Sequence, residues 1–284
     1  MLPQEIVSKT GDLPTLPHVA TKVMRLVSDP KTSAKDVQDA IITDQGMTAQ
    51  ILKISNSAMY GMKREIRTLT QAILLLGFES IRSIVVASAS KKMYKAQGGA
   101  PGFKEKLIWE NSIGSALVSR GIAEQFPDMD KEEAFIGGLM HNMGKTVLNQ
   151  KMPDAYSEIM VTSYNQGTPI HVIERQKLGF DHAELGYCLM QKWNLSDSLA
   201  DAIRYYLEPE KAPLIHRRLT AAIALGTMFC LDLGLGVSQP IPLDEQPLLP
   251  QVMEILAITP ERLAIWRKVV EDKLTKDADM IQGL

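Results

Sequence analysis

Cysteine is nearly absent from this chain: Cys188 and Cys230 are the only two, and no C-x-x-C occurs. Neither a disulfide framework nor a thiolate zinc site can therefore organise the fold. Charge of one sign is missing as well. Lys plus Arg number 31 against 33 Asp plus Glu, a formal net charge of -2, so no whole-chain field draws the protein to nucleic acid or to an anionic membrane. The short basic clusters Lys63-Arg64, Lys91-Lys92 and Arg217-Arg218 are interrupted by acids or apolar residues and read as solvated surface. The apolar stretch AILLLGFESIRSIVVA is broken by Gly77, Glu79 and Arg82, short of the roughly 20 residues a membrane span needs. At the N-terminus, MLPQEIVSKTGDLP carries neither a basic leader nor an apolar run, which speaks against a signal peptide. A reducing, cytoplasmic setting is the expectation. GxSxG, P-loop and GxGxxG motifs are missing too, and both cysteines stand in apolar helical contexts where burial leaves a thiol inert.

What is present is helix. The 284 residues are 45% hydrophobic and 23% charged, enough for two modest cores. Leu16, Val19, Ala20, Val23, Met24 and Val27 recur at three and four, up to Asp29-Pro30. Ser33 with Asp36 reads as a capping box, Asp44 to Asn56 as a third helix, and Thr70 as the cap of a segment ended by Gly77, with Glu79 to Tyr94 following. KAQGGAPG, residues 95–102, cannot continue a helix and marks a boundary between residues 1–96 and 97–284. Beyond it come Phe103 to Gln125, a segment capped by Asp130 with Glu133, and starts at Pro153, at Pro169 behind Thr168, at Asp181 with Glu184, and at Ser196. Leu214 to Leu233 is apolar on more than one side, as a central, largely buried helix should be. Gly234 to Pro250 reads as a loop before two last helices ending at Lys276. Strand alternation and internal repeats are not found, so the expected class is all-α. The fifteen methionines read as core filler.

The most informative stretch is Ala134 to Leu148, AFIGGLMHNMGKTVL. Read as one helix, it places Gly137, His141, Gly144 and Leu148 on a single face, with Gly138 and Asn142 beside them. Consecutive glycines inside a helix cost about 1 kcal/mol each relative to alanine. A second helix or a ligand approaching the backbone closely would offset that, and His141 would point inward.

Several motifs occur together in one order. Leu13-Pro14-Thr15-Leu16-Pro17, Ile42-Thr43-Asp44, the run Ile51 to Ala58 (ILKISNSA) and the run Ala72 to Gly77 (AILLLG) come first. Trp109 to Ser112, Gly138 to Gly144 (GLMHNMG) and Leu178 to Gly186 (LGFDHAELG), running on to Trp193-Asn194-Leu195, follow. Over roughly residues 10 to 235 this arrangement resembles the HDOD family of bacterial signalling output modules, relatives of the HD and HD-GYP metal-dependent phosphohydrolases. The resemblance implies an N-terminal helical bundle followed by a degenerate HD-domain-like helical bundle.

It also implies where hydrolytic residues would stand. HD-type chemistry lowers the pKa of a metal-bound water with imidazole and carboxylate ligands. By motif, the first family histidine falls at Asn111, and the His-Asp pair becomes His141-Asn142. A further histidine is kept at His182, the later His-His position becomes Tyr205-Tyr206, and the final aspartate falls near Leu225-Gly226. Two imidazoles remain with no aligned carboxylate. The expected site is thus a vestigial pocket of Asn111, His141, Asn142, His182, Tyr205 and Tyr206, without catalytic residue, metal or cofactor. His141 is expected as a hydrogen-bonded core residue, partnered by Asn111 or Tyr206. Asn56, Ser57, Trp109, Gly138, Gly144 and Trp193 are expected as interaction or structural motif positions, and His18, His171 and His216 as surface or cap residues. The functional expectation is a non-catalytic signal-transduction module. It would work through signalling-protein partners or a nucleotide or cyclic-dinucleotide ligand, not nucleic acid or membrane. The alternative is a metal-dependent phosphohydrolase acting on nucleotides or cyclic dinucleotides.

Overall fold

The computed structural model describes Pro3 and residues 17–94, 102–237 and 239–281. Residues 13–16 of the first motif and residues 95–101 of the expected boundary lie outside that set. Among the described residues there is no strand, and the chain is all-helical. Helices α1 (His18–Val27), α2 (Ala34–Ile41) and α3 (Gln45–Ser55) form an N-terminal group packed on the long α4 (Leu69–Met93). Their starts are the ones the sequence marks. Ser33 and Asp36 close a capping box, with Asp36 Oδ2 accepting the Ser33 N–H at 2.9 Å, and Asp44 accepts the Met47 N–H at 2.9 Å.

One detail of this group differs from the sequence reading. Thr68, not Thr70, caps α4, since its hydroxyl accepts the Gln71 N–H. At Gly77 the backbone leaves helical geometry, at φ 81° and ψ 169°, a conformation open to glycine, so α4 is two helical stretches meeting at a kink, as the sequence reading of Gly77 as a terminator expects. That helix is also long and apolar enough by composition to cross a membrane over Leu69–Lys91, although 61% of the window is buried inside the fold. Burial against α1, α2, α3 and the second helical group accounts for its composition, residues 80–90 being buried on nearly every side.

The second group is built on α5 (Phe103–Ala123), which packs against α6 (Lys131–Met140) and α12 (Arg217–Asp232). Helix α12 is buried on most sides, as expected. The close approach needs small residues. A methyl group at Gly138 would sit 2.6 Å from the Ser115 carbonyl oxygen, so α5 itself is the neighbour that recovers the cost of glycine there. Around this core lie α7 (Met143–Lys151), α8 (Pro153–Gln166), α9 (Ile170–Leu178), α10 (His182–Lys192) and α11 (Asp197–Tyr205). The last helices are α13 (Leu249–Leu256), α14 (Pro260–Lys276) and α15 (Ala278–Ile281), with 3-10 turns at Pro209–Lys211 and Leu243–Glu245.

The Gly234–Pro250 stretch is therefore not all loop. Pro169 rather than Thr168 holds the N-cap position of α9, and Glu133 does not reciprocate the Asp130 cap. Its carboxylate instead accepts from Ser196 and Ser198, both at 2.7 Å.

The two groups are joined through a buried ion pair. Arg120 Nη2 lies 3.2 Å from Glu132 Oε1, both residues are buried, and Ser80 of α4 donates to the same oxygen at 3.1 Å. Tyr60 places its ring 5.1 Å below the Arg120 guanidinium.

Candidate functional site

The stretch Ala134 to Leu148 is not one helix. Helix α6 ends at Met140 and α7 starts at Met143, so His141 and Asn142 form the joint between them. His141 is fully buried, and its Nδ1 lies 2.6 Å from the Gly138 carbonyl oxygen, one turn back. The ring therefore donates from Nδ1. Burial first, and the nearby Lys145 charge second, push His141 down to about 3, so it is neutral. A neutral ring with a proton on Nδ1 leaves Nε2 as an acceptor, and Nε2 lies 3.2 Å from Asn111 Oδ1, a second acceptor.

Asn111 is held in that orientation by two other bonds. Its Nδ2 donates to the Leu235 carbonyl at 3.1 Å, and its Oδ1 accepts from Asn142 Nδ2 at 2.8 Å. Asn142 also donates to Ser112 Oγ at 3.1 Å, while its own Oδ1 is buried without a partner. Around His141 the polar groups are thus close but imperfectly matched.

His182 is a different case. It opens α10 behind Asp181, a buried N-cap whose Oδ1 accepts the Glu184 N–H at 2.8 Å. Arg175 clamps the other carboxylate oxygen at 2.6 Å and reaches Glu208 at 3.1 Å. Glu174 Oε2 accepts both the His182 backbone N–H, at 2.9 Å, and Nδ1, at 2.5 Å. Glu174 Oε1 accepts the Tyr156 hydroxyl at 3.0 Å. Burial alone would raise the Glu174 pKa, but the His182 charge and hydrogen bonds, with Lys145, outweigh it and hold the carboxylate below its usual range. On the far side, Nε2 lies 2.5 Å from the Tyr206 hydroxyl. Burial keeps both phenols protonated, so Tyr156 donates to Glu174, and the Tyr206 hydroxyl pairs with Nε2. Both ring nitrogens of His182 are engaged by the chain's own side chains.

Tyr206 also separates the two histidines, with its ring 5.1 Å from that of His141 and 6.0 Å from that of His182. Lys145, one turn beyond His141, is pushed down by loss of hydration and pulled up by Glu174. Gly144 is required here, because a side-chain carbon would collide with the His182 carbonyl group.

The structure thus brings Asn111, His141, Asn142, His182 and Tyr206 together. Tyr205 is not among their contacts; it lies half-buried with the Arg204 guanidinium 5.9 Å over its ring. Sequence reasoning missed Glu174, Tyr156 and Lys145. It also took His171 for surface, whereas burial and neighbouring charges, His182 among them, push it down to about 4. His216 is a cap residue, with Nδ1 2.7 Å from Asp201 Oδ2. Glu174 could have been found only as an acid on the apolar side of its helix, beside Ile173. The cysteines are buried as expected, and burial raises Cys188 and lifts Cys230 to about 12.

Dinuclear hydrolytic chemistry needs free imidazole and carboxylate lone pairs converging on one point. Glu174 and His182 spend theirs on each other and on the two tyrosines, and the remaining neighbours of His141 are carboxamides. As they stand, these residues do not fit such a centre. Among the described residues no group of three His, Cys, Asp or Glu is placed to hold a metal ion.

The remaining motif positions hold the framework together. Asn56 caps α3, donating to the Leu52 and Ile66 carbonyls at 2.8 Å each and accepting the Ile66 N–H at 2.7 Å. Trp109 donates its indole N–H to the Ile281 carbonyl at 2.9 Å and meets Tyr94 edge to face at 5.5 Å. Trp193 forms the C-cap of α10.

A family model described as HDOD domain matches residues 13–209. A curated Treponema pallidum (strain Nichols) protein, described as uncharacterized, is 23% identical over 228 residues, which cover 80% of this chain and 44% of that protein. The chain thus spans less than half the length of that relative. Among solved structures, an HDOD domain protein of unknown function from Geobacter sulfurreducens aligns with a TM-score of 0.78 at 22% identity, covering 99% of this chain and 95% of its own. A candidate phosphohydrolase from Shewanella amazonensis SB2B gives 0.76 at 23%, covering 98% and 97%. A candidate signal transduction protein from Marinobacter aquaeolei VT8 gives 0.73 at 20%, covering 98% and 61%. At these identities the likeness speaks to fold alone.

Proposed function

The chain belongs to the HDOD domain family, and from that premise we propose that it is a non-catalytic regulatory module of a bacterial cytoplasmic signalling system. It acts through contacts with a protein partner or a small ligand, its two helical groups at residues 1–96 and 97–284 serving as the parts that move or dock. The observation that carries this reading is the closed circuit at His182, where Glu174 takes Nδ1 and Tyr206 takes Nε2. A metal ion at Nε2 would have to displace the buried Tyr206 hydroxyl, and the side chains hydrogen-bonded around the other histidine, His141, are carboxamides that carry no charge.

A second reading, a metal-dependent phosphohydrolase acting on nucleotides or cyclic dinucleotides, draws support from His141, His182, Glu174 and Lys145 lying close together, and from the candidate phosphohydrolase among the structural relatives. Hydrolysis assays on a cyclic dinucleotide and on a chromogenic phosphodiester, with added Mn, Fe or Mg, separate the two. The regulatory reading expects no turnover above the metal blank. Turnover that vanishes in His141→Ala would establish the hydrolase instead. Affinity capture with the intact chain as bait, followed by a two-component binding assay, then tests for the partner.

A further inference from the structure

A cavity of about 320 Å³ opens where the two helical groups meet. Its walls come from the end of α3, from α4, from α5 and from the turn between α14 and α15. This size lies at the lower end of small-molecule sites, about 300–1,000 Å³. Its lining is cationic. Lys53, Lys91 and Lys276 border it, and Asp277 is the one carboxylate among the described lining residues. That carboxylate is buried and turned away to the backbone, with Oδ1 accepting the Met59 N–H at 3.3 Å, and burial raises its pKa. Lys53 and Lys276 have no ion pair or hydrogen bond among the described residues. A local excess of positive charge in a chain whose net charge is -2 is not a by-product of composition.

The remaining lining narrows the ligand. Trp109 and Ile113 give an apolar floor, and the indole N–H is already committed to Ile281. Ser57, from the I-S-N-S-A motif, has a buried hydroxyl with no partner. The ammonium groups of Lys53 and Lys276 repel a cation and favour an oxyanion with several acceptor atoms, and an apolar floor suits the flat body of an organic molecule. We propose that this seam cavity is a binding site for a small organic phosphate of nucleotide size, its phosphate at Lys53 and Lys276 and its body over Trp109 and Ile113. Occupancy would clamp α3 and α4 to α5 and to the C-terminal helices, so the ligand would favour one relative arrangement of the two helical groups. Such a site rests on the regulatory reading above, since a hydrolase of this fold would take its phosphate at His141 and His182; turnover and seam binding are measured separately, so each fails on its own.

The test is titration of the full chain with AMP, GMP, adenosine, guanosine and inorganic phosphate, reading tryptophan fluorescence and Tm. Saturable responses to the two monophosphates are expected, weakening with added salt and with much poorer response to the nucleosides and to inorganic phosphate. Lys53→Ala with Lys276→Ala, both exposed, should lower affinity by about tenfold or more. Trp109→Phe should remove the fluorescence change while the Tm shift persists. Absence of response to all five probes overturns the site. So does binding as tight for inorganic phosphate as for AMP and GMP, or binding lost in Lys145→Ala but untouched by the lysine pair, which would move it to the His141 pocket.

Discussion

His182 and Lys53 show two ways of placing a polar side chain in one helical fold. His182 is buried, and each of its nitrogens has a protein partner within 2.5 Å. Lys53 borders a ligand-sized space and meets no carboxylate among the described residues. In the first region, charge is neutralised internally and the groups become part of the stability of the fold. In the second, charge is held at the edge of water, where it contributes little to folding and is free to recognise something else. A degenerate catalytic pocket and a working recognition pocket can thus be told apart by whether their polar groups are already spoken for. The comparison predicts that substitutions in the His182 circuit damage stability, whereas those at the seam damage only binding.

The largest effect is expected from Glu174→Ala. Its removal leaves the His182 N–H, Nδ1 and the Tyr156 hydroxyl unpaired in the interior, at a cost of about 3–5 kcal/mol in urea denaturation. A change under 1 kcal/mol would mean the circuit is not what holds this region. Gly144→Ala comes next. The added methyl meets the His182 carbonyl, which is backbone and cannot swing away, and about 1–3 kcal/mol should be lost.

Acid gives a third, similar effect. Burial lowers His141 from 6.5 to about 3, so the ring is neutral in the fold and protonatable once unfolded. The stabilisation is complete above pH 6.5 and is lost as pH falls toward 3, which amounts to about 2 kcal/mol between pH 7 and pH 5. His171, shifted down to about 4, acts in the same direction. Denaturation midpoints of the wild type should fall over this range more steeply than those of His141→Asn; parallel curves would remove His141 from the account. The smallest effect sharpens the contrast: Lys53→Ala and Lys276→Ala should each change stability by no more than about 0.5 kcal/mol. A larger loss would make these lysines structural and blur the distinction between the two regions.

Much of the framework was readable in the sequence. Ser33, Asp44, Asp130, Asp181 and Ser196 cap the helices expected of them, and Asn111 lies beside His141, though with its oxygen rather than a donor facing Nε2. Errors came where two local signals competed. Thr68 and Thr70 both precede the apolar run, and only backbone geometry chooses between them. The periodicity from Ala134 to Leu148 continues across a joint at His141 and Asn142 because both halves bury the same side. Glu174 escaped notice because its partner is on another helix, across the left-handed turn at Gly179, and because motif alignment searched only the positions a hydrolase would use.

By itself the sequence determined the helices, their starts and the two glycine contacts around His141. Capping bonds and the 3.6-residue repeat act within one or two turns and leave their mark in neighbouring residues. Only the tertiary structure decided that Glu174 and Tyr206 would close on His182, and that lysines from distant segments would share a cavity. Met59 and Asp277, which join two walls of the seam, are 218 residues apart. At that separation, proximity is set by the packing of whole helices, which no local pattern encodes.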